Sequence, residues 1–244
     1  MNKIEQFKNR EIKAKEIFTI KEIDRIEGFD FIKKYHYLKD SKYLSMYNYG
    51  LFIEDVLVGV ATYSLPQGTM TLKNWFNIND NKYKKIQELM RLCVIPELNK
   101  SNATSYLLRN SANLLRKTYG VKAIITLADS KRHVGSIYQV CSFKYYGLTK
   151  KETDFYSADG RKGVRGKLSK MRGCYVARTQ KHRYAIIYDE NLECNHKEVP
   201  YPKQDMRLFP NCCNGTKQVY DKRFNETYTC PLCVGELKFI KEGK

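Results

Sequence analysis

The sequence lacks any apolar run approaching the roughly 20 residues that a membrane-crossing helix needs. Its longest apolar stretches are as short as Val56-Leu-Val-Gly-Val-Ala61. The start, Met1-Asn-Lys-Ile-Glu-Gln, has no apolar segment of the signal-peptide kind, so a soluble, cytoplasmic protein with no membrane partner is expected. Acidic residues are scarce, 26 against 44 Lys and Arg, which leaves a formal charge of +18. A surplus of that size points to a polyanionic partner, nucleic acid being the commonest. The alternative is lysine written freely by an A+T-rich genome. Tryptophan is nearly absent, with one residue, but 19 Tyr and 11 Phe bring aromatics to 13% and hydrophobic residues to 42%. That is enough apolar surface for a real core and excludes wholesale disorder. A length of 244 residues suits one large domain, or an ordinary domain with a small appendage.

Composition separates three regions, and no repeat is visible. Residues 1–28 are a charged N-terminal extension, residues 29–190 alternate between strand-like and helix-like patterns, and residues 191–244 are rich in Cys, Pro and Asn. Periodicity predicts a short helix over Phe29–His36 and a hairpin of Tyr49–Ile53 with Leu57–Tyr63 around Glu54-Asp55. It predicts a strand over Leu89–Ile95, a long helix over Asn102–Tyr119 stopped by Gly120, and a buried strand over Val121–Ala128. A short helix over Gly135–Cys141 and a strand over Phe143–Leu148 follow. Antiparallel strands first and alternating strands and helices afterwards imply an α/β domain with a mixed sheet flanked by helices.

Eight cysteines bear on chemistry. Cys93 and Cys141 stand in apolar segments and read as ordinary buried thiols, Cys174 is ambiguous, and five fall in the last 51 residues. Without a signal peptide such a cluster reads as a metal site before it reads as disulfides. Cys230-Pro-Leu-Cys233 has zinc-knuckle spacing, and the partners come from Cys212, Cys213, Cys194 and His196. A small C-terminal module folded around structural zinc is expected over 191–244, with the four ligands left open among these six residues.

The basic surplus is concentrated. Lys144–Arg183 holds 12 Lys and Arg against 3 Asp and Glu, half of the net charge. Inside it, Ser157-Ala-Asp-Gly-Arg-Lys-Gly-Val-Arg-Gly-Lys-Leu-Ser-Lys-Met-Arg-Gly173 mixes glycine with cations, as a backbone approaching phosphates would require. Arg161, Lys162, Arg165, Lys167, Lys170, Arg172, Lys181 and Arg183 are the expected DNA contacts. Tyr156, Tyr175 and Tyr184 are candidates to stack on an extruded base. The alternative is a solvated basic loop.

The run Ala128-Asp-Ser-Lys-Arg-His-Val-Gly-Ser-Ile-Tyr-Gln-Val-Cys-Ser-Phe143 goes from strand through polar loop to a short Tyr-bearing helix. There the chain resembles the GNAT acetyltransferase superfamily. With Lys34-Tyr-His-Tyr37, Glu88-Leu-Met-Arg-Leu-Cys-Val94, Asn102-Ala-Thr-Ser-Tyr-Leu-Leu108 and Gln180-Lys-His-Arg-Tyr184, the ordered set resembles the Mom DNA-modification family of phage Mu and its relatives, a divergent GNAT branch. The resemblance spans about residues 29–190. It implies a GNAT-like, mostly antiparallel sheet in a catalytic domain of 1–190. It also implies a phage enzyme that adds a carbamoylmethyl group to adenine N6 of double-stranded DNA, so that restriction enzymes cannot cut.

Position by position, the resemblance selects His36, Tyr37, Arg91, Ser105, Asp129 and Tyr138 as catalytic. The chemistry suits them, because an exocyclic adenine amine is a poor nucleophile and needs a base and a nearby electrophile. The resemblance gives His36 and Asp129 the base, or a His/carboxylate iron site, and Tyr138 the protonation of a leaving group. Asp129 as a helix cap, His133 as a plain loop residue, Tyr138 as a packing residue and His36 as a helix-end residue are the alternatives.

Acetyltransferases carry a Gly-rich turn ahead of the long helix, whose amides bind the pyrophosphate of coenzyme A. Here Pro96–Ser105 has no glycine, a lack that the Mom resemblance shares. The amides of Asn102, Ala103, Thr104 and Ser105, with Lys100, remain the expected anion site for acetyl-CoA or a related acyl donor. Two other functions compete: acetyl transfer to a protein or small-molecule amine, and zinc-dependent nucleic-acid binding without catalysis.

Overall fold

The N-terminal residues are tied down by aromatic contact. In the computed structural model Lys3–Lys8 (α1) and Ala14–Ile17 (α2) are short helices, and Phe7 is buried edge-on against Phe18, with ring centroids 4.8 Å apart. The structure describes residues 3–10, 12–38, 43–66, 69–79, 83–99, 101–130, 132–157, 173–203, 218–221, 226–229 and 239–240. Phe18–Glu22 then forms β1, which sequence periodicity assigns to a mere extension. Its five residues are polar at most positions, and only antiparallel pairing with the next strand, from Phe18↔Ile53 to Glu22↔Tyr49, makes it a strand.

Asp24 caps the following helix α3 (Arg25–Tyr35), its carboxylate accepting the amides of Ile26 at 2.7 Å and Glu27 at 2.9 Å. The hairpin of β2 (Tyr47–Ile53) and β3 (Val56–Ser64) forms where expected, with Glu54 at φ +56° in the turn. Helix α4 (Thr69–Phe76) was not legible in the sequence; its described side chains include the buried Leu72, Trp75 and Phe76. Strand β4 (Ile86–Val94) leads through a 3₁₀ turn, Pro96–Leu98, to the long helix α5 (Ala103–Tyr119). Gly120 ends α5 in the left-handed region at φ +62°, where a side chain would be strained. Strand β5 (Ala123–Asp129), helix α6 (Ser136–Val140) and strand β6 (Lys144–Leu148) complete the predicted core elements.

The basic stretch is not one loop. It contains β7 (Thr153–Ser157), β8 (Gly173–Ala177) and β9 (Lys181–Ile187). Strands β10 (Gln218–Asp221), β11 (Glu226–Thr229) and β12 (Phe239–Ile240) follow. The main sheet has the order β1-β2-β3-β4-β5-β9-β6, antiparallel from β1 to β4 and parallel between β4 and β5. This is the mixed, mostly antiparallel sheet with flanking helices that the sequence implies.

The described residues fall into two compact units, within the spans Met1–Leu127, Ser136–Gly147 and Arg183–Tyr201 for the first and Ala128–Gly135, Leu148–His182 and Pro202–Lys244 for the second. In the first unit, Phe31 and Ile32 of α3 pack on Val60 of β3. Beneath α5, the buried Tyr63 hydroxyl and Ser111 Oγ share a 2.7 Å hydrogen bond. Ser111→Ala strips that hydroxyl of its partner inside the core and is expected to cost about 1–3 kcal/mol, read by urea unfolding. In the second unit β7 and β8 pair antiparallel, and β10, β11 and β12 form a small antiparallel sheet. Gly173 opens β8 because a Cβ there would lie 2.1 Å from the Tyr156 carbonyl oxygen.

Candidate functional site

Two strands that part company create the site. β4 and β5 pair only from Ile86↔Ala123 to Glu88↔Ile125, and the pairing goes no further among the described residues. On the other edge of β4 a bulge intervenes, since Thr62 faces Arg91 while Tyr63 faces Leu89. Thr126, the first β5 residue past the paired segment, reaches back with Oγ1 to the Leu89 carbonyl at 3.3 Å. The region where the strands diverge therefore contains Arg91 and Thr126.

Side chains from α6 and from the segment after α3 converge on it. His36 is the C-cap of α3, its amide bonded to the Ile32 carbonyl at 2.9 Å. Its Nδ1 accepts the Leu38 amide at 3.0 Å, so the proton of the neutral ring sits on Nε2. His36 thus stands at the helix end, as the helix-end reading has it. Tyr37, half-exposed, stacks on the His36 ring at 4.3 Å between centroids.

Arg91 lies half-buried with its guanidinium over Tyr43, 4.7 Å from the ring centroid, and Nη1 on the Met90 carbonyl at 2.7 Å. Burial draws its pKa below the ordinary value, while Tyr43, Tyr37 and Glu88 oppose that shift.

Tyr138, on α6, is 8% exposed and lies among Phe143 and Tyr184 at centroid distances of 5.9 and 5.3 Å. Burial pushes its hydroxyl up to about 12, an effect that a hydrogen bond with Thr126 partly offsets and the neighbouring Tyr37 reinforces. Tyr138 therefore both packs and presents a hydroxyl that stays protonated at neutral pH. The first unit brings together His36, Tyr37, Arg91 and Tyr138.

Ser105 sits instead in a cleft of about 1040 Å³, also within the first unit. Asn102 and Ser105 of α5 line it together with Ser136, Ile137 and Val140 of α6. Ser105 Oγ donates to the Asn102 carbonyl at 2.8 Å. Of the expected anion-binding amides, that of Ala103 is already taken by Ser101 Oγ at 3.2 Å, and Ala103 is wholly buried. Helix geometry leaves the amides of Thr104 and Ser105 for a ligand. Lys100 lies outside the described residues.

Asp129 ends β5 and belongs to the second unit. Its backbone carbonyl accepts the amides of Arg132 at 2.9 Å and His133 at 3.1 Å, and α6 begins only at Ser136, so Asp129 does not cap that helix. The loop after it is anchored by Ser130, whose amide and Oγ both donate to the Gln180 carbonyl, at 3.2 and 2.6 Å.

His133 accepts the Gly135 amide on Nδ1 at 3.1 Å. Burial lowers its pKa below the ordinary 6.5, with Asp129 opposing and Arg132 assisting. His182, buried, is lowered by desolvation and by His133. His196, in the first unit, is lowered by desolvation and by Arg183. For all three the unfolded chain binds a proton more readily. Their contribution to stability is therefore complete above pH 6.5 and lost as the pH falls below it. The melting temperature is expected to drop between pH 6.5 and pH 5, beyond the fall seen in a variant with His133, His182 and His196 replaced by Gln.

Several expectations need correction. Tyr184 is wholly buried in the first unit, with its hydroxyl accepting from Gln139 at 3.1 Å, and cannot stack on an extruded base. Arg183 is half-buried in β9, and its Nη1 hydrogen-bonds the His196 ring at 3.1 Å, so it is no free phosphate contact. Lys181 and Tyr175 are exposed, Tyr156 partly so. Arg161, Lys162, Arg165, Lys167, Lys170 and Arg172 lie outside the described residues.

So do Cys212, Cys213, Cys230 and Cys233. The remaining zinc candidates are accounted for by packing. Cys194 lies against the cluster of Leu72, Trp75 and Tyr146, burial raising its thiol pKa, and the His196 ring stands edge-on to Trp75 at 5.0 Å. A cation beside an imidazole and a desolvated thiol make a poor zinc pair. Cys194→Ser is expected to leave the metal content of the full chain unchanged by elemental mass spectrometry. A lost equivalent of zinc would return Cys194 to the ligands. Among the described residues no three His, Cys, Asp or Glu side chains gather as a metal-binding group.

No curated protein sequence matches the chain. Solved structures that resemble it include the ribosomal-protein-S18-alanine N-acetyltransferase of Escherichia coli (12% identity, 72% of this chain and 99% of that one, TM-score 0.43). Others are an acetyltransferase of Bacillus subtilis in complex with CoA (16%, 70% and 97%, 0.42) and the IAA acetyltransferase of Bacillus cereus (14%, 70% and 99%, 0.42). The model of the Mom protein family matches residues 17–203, a span that holds His36, Tyr37, Arg91, Ser105, Asp129 and Tyr138. With most of its length inside that match, the chain belongs to the Mom protein family.

Proposed function

We propose that the chain is a GNAT-type transferase that moves a small acyl or alkyl group, carbamoylmethyl in the family, onto adenine N6 of double-stranded DNA and so protects phage DNA from restriction. The observation that carries this reading is the buried, protonated Tyr138 hydroxyl placed with Tyr37, Arg91 and His36 where β4 and β5 separate.

In the reaction the N6 lone pair attacks the electrophilic carbon of the donor. One N–C bond forms, and the bond from that carbon to the leaving group breaks. The amine must lose a proton and the leaving group must gain one. Tyr138 supplies the second proton, because burial keeps its hydroxyl neutral well above pH 7. His36 is unsuited to take the first, because Nδ1 is committed to the Leu38 amide and Nε2 carries the hydrogen. The family resemblance gives that task to the Asp129 carboxylate, and proton exchange with solvent restores both groups. His36 then positions Tyr37, whose half-exposed ring stacks on the extruded adenine, and Arg91 stabilises negative charge developing on the donor. The amides of Thr104 and Ser105, with the Ser105 hydroxyl, hold the donor at the start of α5. Lys181, Tyr175 and the cations of 161–172 serve the DNA backbone and bases.

Nucleosides from DNA of bacteria expressing the chain test this by mass spectrometry. A new deoxyadenosine adduct, absent with Asp129→Ala, is the expected result. Unmodified DNA despite abundant folded protein would overturn it.

A further inference from the structure

Arg91 carries the charge that the proposed reaction needs, and few polar groups fix where that charge points. Its Nη1 donates to the carbonyl of its own chain neighbour, Met90, at 2.7 Å. Its Nε is buried and has no hydrogen-bond partner among the described residues. Thr62 faces it across the bulge, yet its buried Oγ1 has no partner there either, so the two side chains do not bond. Arg91 forms no ion pair among the described residues, and Glu88 acts on it through charge without such a contact. What lies against the guanidinium is the ring of Tyr43, at 4.7 Å. We propose that Tyr43 is a positioning residue of the transfer reaction, its ring face fixing the Arg91 cation where β4 and β5 part. The inference rests on the transferase reading above and adds to it a residue that acts through Arg91.

A ring suits this task better than a carboxylate. A carboxylate would hold the guanidinium tightly, but it would neutralise the charge and occupy the N–H donors that lie in the guanidinium plane. An aromatic face attracts the cation through the ring quadrupole and leaves the charge uncompensated. Partial burial of both groups strengthens that attraction, because less water screens it. Burial also keeps the Tyr43 hydroxyl protonated, with Arg91 and Arg25 opposing that shift, so a neutral ring and not a phenolate meets the cation.

The ring is itself held in place. Phe29 of α3 stacks on it at 5.9 Å between centroids, with the planes 20° apart. Tyr43 also packs on the cluster of Phe31, Ile32 and Val60, beside Tyr35 and Cys93. The chain after it is tied down by the Met46 amide on the Tyr63 carbonyl at 2.8 Å and by a hydrogen bond from Ser45 Oγ to Asn48. Helix α3 therefore serves the site twice. Its end presents His36 and Tyr37, and its flank holds the ring that holds Arg91.

Fluorinated phenylalanine at position 43 decides it, because fluorine drains the negative face of the ring while nearly keeping its shape. The full chain is made as Tyr43→Phe, with trifluorophenylalanine at position 43, and as Tyr43→Leu. Two quantities are read at matched levels of folded protein. One is the initial rate of deoxyadenosine adduct formation in DNA of the expressing cells. The other is the NMR signal of the Arg91 Nε–H group in the purified chain, assigned by its absence from Arg91→Lys. Tyr43→Phe keeps the ring and is expected to rescue the parental rate to within about twofold, while Tyr43→Leu is expected to lose about tenfold. The trifluoro ring should fall between them, and the Nε–H signal should move towards that of an exposed arginine in the same order. The trifluoro variant should melt like Tyr43→Phe, so the comparison stands even if Tyr43→Leu fails to fold. Equal rates for the phenyl and trifluorophenyl rings, or a Phe variant as slow as the Leu variant, would overturn the proposal. So would a rate that falls while the Nε–H signal stays still, since Tyr43 would then act otherwise than through Arg91. A parent chain that leaves DNA unmodified fails the transferase reading instead, and the Nε–H signal still reports whether Tyr43 holds Arg91.

Discussion

Tyr138→Phe is expected to lower the rate of adenine modification by about 10²–10⁴-fold, the usual contribution of a positioned proton donor. The substitution removes one oxygen and leaves the ring packed on Phe143 and Tyr184. Thr126 loses the Tyr138 hydroxyl but keeps the Leu89 carbonyl, so the stability cost should stay near 1 kcal/mol. The pH dependence carries a further check. Burial raises the Tyr138 pKa from 10 to about 12, so the protonated form is the one favoured by folding. That stabilisation is complete below pH 10 and is lost as the pH rises through about 12. The parent enzyme should therefore show no alkaline loss of rate from this group near pH 10. Single-turnover rates on duplex DNA across pH 6–10 test both statements, and a Phe variant with parental activity would remove Tyr138 from the chemistry.

Trp75→Ala is expected to be the most destabilising of these changes, by about 3–5 kcal/mol. The indole is 4% exposed and meets Tyr146 at 5.5 Å and His196 at 5.0 Å, and its backbone carbonyl accepts the Asn195 amide at 2.7 Å. It thus ties the segment of Cys194–His196 to α4, β6 and the sheet. Losing it opens a large cavity and releases that segment together. Against a typical total stability of 5–15 kcal/mol this is a large fraction, visible in the urea midpoint. A shift below about 1 kcal/mol would show that Cys194–His196 is held by something other than Trp75.

Much of the fold was legible because its signals are local. The β2–β3 hairpin is two apolar runs around Glu54-Asp55, and α5 is a periodic helix stopped by Gly120. β1 and α4 were missed for the opposite reason. β1 is mostly polar and becomes a strand only by pairing with β2, and α4 is a short segment drawn into the core through Leu72, Trp75 and Phe76. Of the site, the types and order of His36, Tyr37, Arg91, Ser105, Asp129 and Tyr138 stand in the sequence, inside the span that the family model matches. Their environments do not. Which imidazole nitrogen of His36 holds the proton depends on a neighbouring amide, and the acidity of Tyr138 depends on how much water its pocket excludes. Tyr43 passed unnoticed because nothing in the segment between α3 and β2 marks which ring will meet a cation on β4.

The charge and the cysteines mark the boundary between the two kinds of knowledge. A surplus of +18 and a cluster of Cys and His are properties of composition, and the sequence alone determined them, together with family and secondary-structure pattern. What each charge or ligand does is a property of distance and dielectric. Arg183, in the sheet, turned out to be bound to a histidine outside it, and Cys194 to lie on a tryptophan-centred core. Only the tertiary structure could decide that, because residues far apart in sequence become partners through packing, and desolvation acts on them only once they are packed.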